Sequence, residues 1–178
     1  MLSGASIHWA VAGGWALDLW RGRQTRPHGD LEITIQRRMF PALRRHLSQM
    51  DFFLAGSGSV KALPQSQAPP LSFHQVWLLD VHTRYWRLDA MLEQDDEAFW
   101  RFRRFTEITM PRSEAVMENA EDIPFLNPAC VLLFKAKHLR PKDELDFAYT
   151  WPTLSAGQKQ WLRDALNKAH PDHPWTKI

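Results

Sequence analysis

Residues 30–35 alternate without a break. DLEITI sets Leu31, Ile33 and Ile35 on one face of a strand and Asp30, Glu32 and Thr34 on the other. A two-residue period of this kind calls for a sheet with one face packed on a core and the other kept polar, and for helices to cover it. The preceding stretch supplies a strand and a helix. Residues 7–11 are short and apolar, Gly13 and Gly14 make a turn, and residues 15–20 open a helix.

The rest of the chain extends the pattern. Residues 39–50 read as a helix with Pro41 in its first turn, residues 52–55 as a short strand, and residues 56–70 as a mobile loop rich in Gly, Ser, Gln and Pro. Residues 74–81 and 84–92 form two β-prone runs around a turn at His82 and Thr83. A short helix near 96–104 and a strand within 107–116 follow. Asn127 and Pro128 are a cap and first-turn proline for a helix running to about Leu139, which Pro141 ends. A helix over 142–149 comes next. The last helix opens on Ser155 and Gln158 in capping-box spacing and carries an apolar stripe of Trp161, Leu162, Ala165, Leu166 and Ala169. The expected fold is α+β (α/β), a mixed sheet flanked by helices with a helical C-terminal third. Residues 1–126 make the sheet unit, and residues 127–178 are helices packed on the same domain.

Composition bounds the function. A chain of 178 residues, 44% hydrophobic, buries one sizeable core, and a net charge of +2 is too small to argue for nucleic acid by itself. The arginines group at Arg21, Arg23 and Arg26, at Arg37, Arg38, Arg44 and Arg45, and at Arg101, Arg103 and Arg104, which reads as solvated helix faces. Cys130, the single cysteine, makes no internal disulfide and reads as a small buried thiol in a cytoplasmic protein. The apolar stretch at 7–20 is interrupted by His8 and Asp18 and is too short for a bilayer, so neither export nor membrane insertion is expected. His170 and His173 lack a further ligand cluster for zinc and read as a polar tail.

Asp30 and Glu32, two positions apart on one strand, project side by side about 7 Å apart at the backbone, so two carboxylates can converge on one divalent ion. A solvated acidic face is the plain alternative. Asp89 sits between Leu88 and Ala90 in an apolar strand and needs a partner there, either a basic group or a metal shared with Asp30 and Glu32. With the turn at His82 and Thr83 it falls opposite Val76, whereas the rival Asp80 lies nearer the turn. Gly13 and Gly14 let a backbone approach a polyphosphate closely at the start of a helix. Lys135 falls among Val131, Leu132 and Leu139 on its helix, so its ammonium must snorkel or meet an anion, and a triphosphate would serve. Lys142 and Asp146 are spaced for an exposed ion pair.

The stretch AGGWALDLWRGRQTRPHGDLEITI resembles the opening of the aminoglycoside and lincosamide nucleotidyltransferases, in the polymerase-beta-like nucleotidyltransferase superfamily. The likeness continues more loosely around LDAML at Asp89 and in LLFKAKHLRPKDELDF, residues 132–147. The resemblance implies a nucleotidyltransferase-type sheet and transfer of a nucleoside monophosphate, usually AMP from ATP with Mg2+, to a hydroxyl of a small, antibiotic-like acceptor. It implies that Gly13, Gly14, Arg26, His28, Lys135 and Lys142 surround the nucleotide. It also implies that Asp30, Glu32 and Asp89 hold the metal, with Asp89 the base. Two departures stand out: Glu32 replaces the usual aspartate, and the family's helix ahead of the first strand has only residues 1–6 in its place, as in a truncated start. A nucleotide-binding module of weak or no activity, and a toxin-like modifier of RNA or protein, remain alternatives. A polycationic aminoglycoside would need an acidic trough, for which Asp95, Asp96, Glu97 and residues 118–122 are the candidates, and a neutral acceptor fits equally.

Overall fold

The computed structural model describes every residue except Met1, Ser3, Ala5, Ser57 and Ile178. Its frame is a mixed sheet of eight strands. In chain order these are β1 (Trp9–Val11), β2 (Leu31–Gln36), β3 (Met50–Gly56), β4 (Ser59–Ala62), β5 (Gln75–Asp80), β6 (Trp86–Glu93), β9 (Val116–Glu118) and β10 (Pro124–Leu126). The strands β7 (Phe99–Arg101) and β8 (Thr109–Pro111) form a separate hairpin. Across the sheet the order is β4-β3-β5-β6-β2-β1-β10-β9, with β2 parallel to β6 and β1 parallel to β10. The helices are α1 (Gly13–Arg21), α2 (Phe40–His46), the short α3 (Arg112–Ala115), α4 (Pro128–Lys135), α5 (Pro141–Thr150) and α6 (Ala156–Ala169).

The alternation at residues 31–36 sorts the two faces. Ile33 and Ile35 join Leu43 of α2, Val76, Leu78, Leu88, Ala90 and Leu92 in one apolar core. A second core gathers Leu17, Trp100, Phe102, Leu126, Leu132, Leu162 and Leu166 from α1, the β7–β8 hairpin, β10, α4 and α6. It covers the other face, where Thr34, Met91 and Glu93 lie beside Trp100 and Phe134. Asn127 caps α4 by accepting from Ala129 N, and Ser155 with Gln158 closes the capping box of α6, as their spacing predicts. Cys130 is buried, and burial pushes its thiol well above the ordinary range. Among the described residues no helix is long and apolar enough to cross a membrane.

Several expectations are corrected. Residues 96–104 give strand β7 rather than a helix. Asp96 Oδ1 accepts from the N–H groups of Ala98 and Phe99 and turns the chain, after which Trp100 pairs opposite Met110 and is buried. Residues 56–70 contain β4, and the rest of the stretch is tied down by arginines. Arg44 donates to the carbonyls of Pro64, Gln65 and Gln67, and Arg37 to those of Pro69, Pro70 and Phe73. Arg37 and Arg44 are therefore staples and not a solvated face. The helix after Asn127 stops at Lys135, and Pro141 opens α5 instead of closing α4. His173 is buried and not part of a polar tail: Trp175 N donates to its Nδ1, and its Nε2 meets the Ala136 carbonyl at 3.0 Å.

The β5–β6 hairpin departs from expectation in a way that matters for the site. The connection is longer than a turn at His82 and Thr83. Asp80 Oδ1 accepts from both their N–H groups, and Arg84 takes a left-handed φ of 60°. Leu79 pairs with Trp86, but the next pair is Leu78 with Leu88, so Arg87 is an extra residue, a β-bulge. The pairing therefore slips by one, and Asp89 stands opposite Trp77 rather than Val76. Val76 belongs to the apolar core under α2, so the slip matches Asp89 with the polar face.

Candidate active site

Glu32 and Asp89 are direct partners on the adjacent parallel strands β2 and β6, so their side chains leave the sheet on the same face. Asp30 precedes β2 and is exposed at the rim, near enough that its charge bears on both. Burial pushes Asp89 up to about 7, and repulsion from Glu32 adds to this. Gln75 Nε2 donates to Asp89 Oδ2 at 2.7 Å. The indole of Trp77 is close enough to favour the charged form, yet its N–H lies outside hydrogen-bond geometry, and Trp77 Nε1 and Asp89 Oδ1 are both left without a partner. Glu32 is likewise raised, by burial first and then by Asp30, against the pull of Lys135, Lys142 and Arg140.

The two glycines have distinct local reasons. Ala12 N donates to the Glu32 carbonyl, which fixes the end of β1 against the start of β2. Gly13 has φ +59°, and a Cβ there would fall on the Glu32 carboxylate. The extra methylene of Glu32 thus folds its carboxylate back over the mouth of α1, in space that only glycine leaves open. A Cβ at Gly14 would meet the His28 ring and, at 2.6 Å, the Arg26 guanidinium. No side chain caps α1 and its first turn holds no acid, so its leading N–H groups face the cavity.

His28 is held from beneath. Its Nε2 is 2.5 Å from Asp18 Oδ2, its ring lies 4.7 Å from that of Trp15, and Asp18 Oδ1 also accepts from Thr25 N and Thr25 Oγ1. Lys135 and Arg26 meet internal anions. Lys135 Nζ is 2.8 Å from Asp146 and 3.5 Å from Asp143, and Arg26 grips Asp146 with two bonds of 2.9 Å. Burial opposes the charge on Asp146, but Arg26 and Lys135 overcome it and hold the carboxyl below its usual range. Asp143 is fully buried and bound by Arg140 as well. With Asp146 so occupied, the expected Lys142–Asp146 pair gives way and Lys142 lines the cavity.

That cavity, about 370 Å³, collects Gly13, Gly14, Arg26, His28, Asp30, Glu32, Lys135 and Lys142, with Asp89 behind Gln75 at its edge. It also takes in Arg103 and Arg104, which the sequence reading set on a solvated helix face, and His138 and Arg140, which it passed over. Arg103 and Arg104 stand over the Phe134 ring, and Arg104 donates to the Phe134 carbonyl. Asp18 was passed over too, although a carboxylate within the apolar run WALDLW carries the same signal as Asp89.

The donor set suits a hard cation. The facing oxygens of Glu32 and Asp89 share excess charge, and Asp89 Oδ1 is buried and unpartnered. Among the described residues, however, no three His, Cys, Asp or Glu side chains gather closely enough to enclose an ion, because Glu32 folds over Gly13 and Asp30 stays at the rim. The arrangement is a carboxylate pair with a third acid at its mouth, facing a wall of cations.

Comparison with known proteins identifies the frame. Over 94% of its length the chain superposes on 91% of the antibiotic-resistance factor ANT(2'')-Ia in complex with adenylyl-2''-tobramycin, at a TM-score of 0.63 and 14% identity. A solution structure of ANT(2'')-Ia gives 0.62 at 14% identity, covering 94% of this chain and 85% of that one. The lincomycin-bound lincosamide adenylyltransferase LnuA gives 0.59 at 17% identity, covering 86% and 91%. A search of curated proteins finds no match. Residues 1–99 match the family model of aminoglycoside-2''-adenylyltransferases, and the chain belongs to that family of antibiotic nucleotidyltransferases.

Proposed function

We propose that this protein moves AMP from ATP to a hydroxyl of a small acceptor. The observation that supports this most directly is the Glu32–Asp89 pair beside the uncapped start of α1, on the floor of a cavity whose other wall is cationic. The relatives are consistent with it, since one carries an adenylylated aminoglycoside and another lincomycin. In this reading the N–H groups at Gly13 and Gly14 bind phosphate oxygens, and Lys142, Arg140, Arg103 and Arg104 take the departing pyrophosphate. Asp89 accepts the acceptor's hydroxyl proton as that oxygen bonds to the α-phosphorus and the bond to pyrophosphate breaks. Gln75 keeps the Asp89 carboxylate oriented. Magnesium, when held by the Glu32–Asp89 pair with Asp30 at its mouth, would supply neutralisation of the charge on the phosphoryl oxygens.

The test is pyrophosphate release from ATP with Mg2+ and a panel of hydroxylated acceptors. Asp89→Asn should lower kcat about 10³-fold while ATP still binds. Release at the wild-type rate in Asp89→Asn refutes the reading, and nucleotide binding without release on any acceptor makes the protein a binding module instead. The RNA-modifier alternative loses much of its motive, because Arg37 and Arg44 bind loop carbonyls and Arg101 binds Asp96.

A further inference from the structure

Two cations on the cavity wall are held from behind by acids. Asp146 of α5 is 4% exposed, and its oxygens accept from Arg26 Nε and Nη2, each at 2.9 Å, while Lys135 Nζ lies 2.8 Å from the same carboxylate. Arg26 comes from the loop between α1 and β2 and Lys135 from the last turn of α4, so one buried carboxylate joins three separated segments of the chain. Asp143, one turn earlier and fully buried, meets Lys135 at 3.5 Å and takes Arg140 with bonds of 2.7 and 3.2 Å.

What lies in front of these pairs gives their placement its importance. Arg26 Nη2 stands 2.6 Å from where a Gly14 Cβ would be, so Asp146 sets the guanidinium across the uncapped start of α1. Arg26 Nη1 donates to the Pro27 carbonyl at 3.1 Å, which fixes the group further. By charge alone the pairing works against a phosphate site. The two carboxylates cancel two cations beside the cavity, and a polyanion bound there would be repelled by both acids. An ammonium or guanidinium gripped by an acid nonetheless keeps N–H donors to spare, and these point where the acid has fixed them.

We propose that Asp146 is a positioning residue for the donor: it acts through Arg26 and Lys135, fixing their remaining N–H groups toward the phosphates, and it strengthens triphosphate binding despite its own negative charge. This rests on the transfer reading only in taking a nucleoside triphosphate as the occupant of the cavity. Because the acid and the phosphates carry charge of one sign, positioning and mere proximity act on affinity in opposite directions.

Calorimetric titration of the whole protein with ATP and Mg2+, well below each variant's thermal midpoint, tests it. Asp146→Asn removes the charge and keeps the shape; proximity alone would tighten ATP, whereas positioning weakens it about tenfold. Asp146→Glu keeps the charge but moves it by one methylene, and it should weaken ATP too, where proximity predicts no change. If Asp146→Asn does not fold, Asp146→Glu decides alone. ATP bound as tightly as by the unaltered protein, or more tightly, in either variant overturns the proposal, and a lowered midpoint with unchanged affinity does so by leaving Asp146 a purely structural part. Pyrophosphate release by the unaltered protein is read separately. ATP binding without release on any acceptor sinks the transfer reading and leaves the role of Asp146 standing, whereas release with Asp146 variants of full affinity sinks only that role. An unaltered protein that binds no ATP sinks both.

Discussion

The two faces of the β2–β6 pair differ by one residue in register and by almost everything else. Beneath α2, Ile33, Ala90, Val76 and Leu78 are wholly buried. On the reverse, Glu32 confronts Asp89, Thr34 donates to Glu93, and Gln36 reaches the Asp96 carbonyl. Successive side chains thus serve opposite ends, since the greasy face secures strands whose other face holds two carboxylates in a conflict that destabilises them. Stability and chemistry are separated by a single step along the backbone.

Removing that conflict should have the largest effect. Asp89 ionises near 3.8 when free and at about 7 when folded, so the folded chain binds its proton more tightly. The resulting stabilisation is full below about pH 4 and disappears as pH rises through about 7, on the order of 4 kcal/mol at most. Ligand-free protein should therefore become easier to unfold in urea between these limits, and Asp89→Asn should flatten most of the slope. An unchanged slope would place the strain elsewhere. On the apolar side, Leu78→Ala should cost about 3 kcal/mol through the cavity it opens, and should leave the pH slope intact. Coupling between the two changes would break the idea that the faces act separately. A smaller loss, about 2 kcal/mol in thermal unfolding, is expected for Gly13→Ala, from its positive φ and the clash with Glu32. Adding Glu32→Asp shortens the offending side chain and should recover part of it, whereas no recovery would assign the whole loss to backbone strain.

The alternating DLEITI strand, the helix caps at Asn127 and Ser155 and the apolar stripe of α6 were legible because each is a local signal with a local cause. The bulge at Arg87 was not, since no residue type marks it and only the pairing of two strands reveals it. Lys135 was correctly singled out as an ammonium in need of an anion, but the anions, Asp143 and Asp146, come from the next helix, and sequence spacing suggested Lys142 as the partner of Asp146 instead. The arginines misled for a related reason: the carbonyls that Arg37 and Arg44 hold lie 20 to 36 residues away, and clustering in sequence says nothing about such partners. Gly13 and Gly14 read as a phosphate cradle, and what the structure shows is that they make room for Glu32, His28 and Arg26.

Arg26 is the sole lysine or arginine around the cavity that falls within residues 1–99; Arg103, Arg104, Lys135, Arg140 and Lys142 all come afterwards. The acids and the hand that would grip a polyanion are thus written in separate stretches of the gene product. In the proposed reading, drift in the later stretch would change how firmly phosphates are held without disturbing the acidic floor, so relatives sharing the first hundred positions need not share an affinity for the donor.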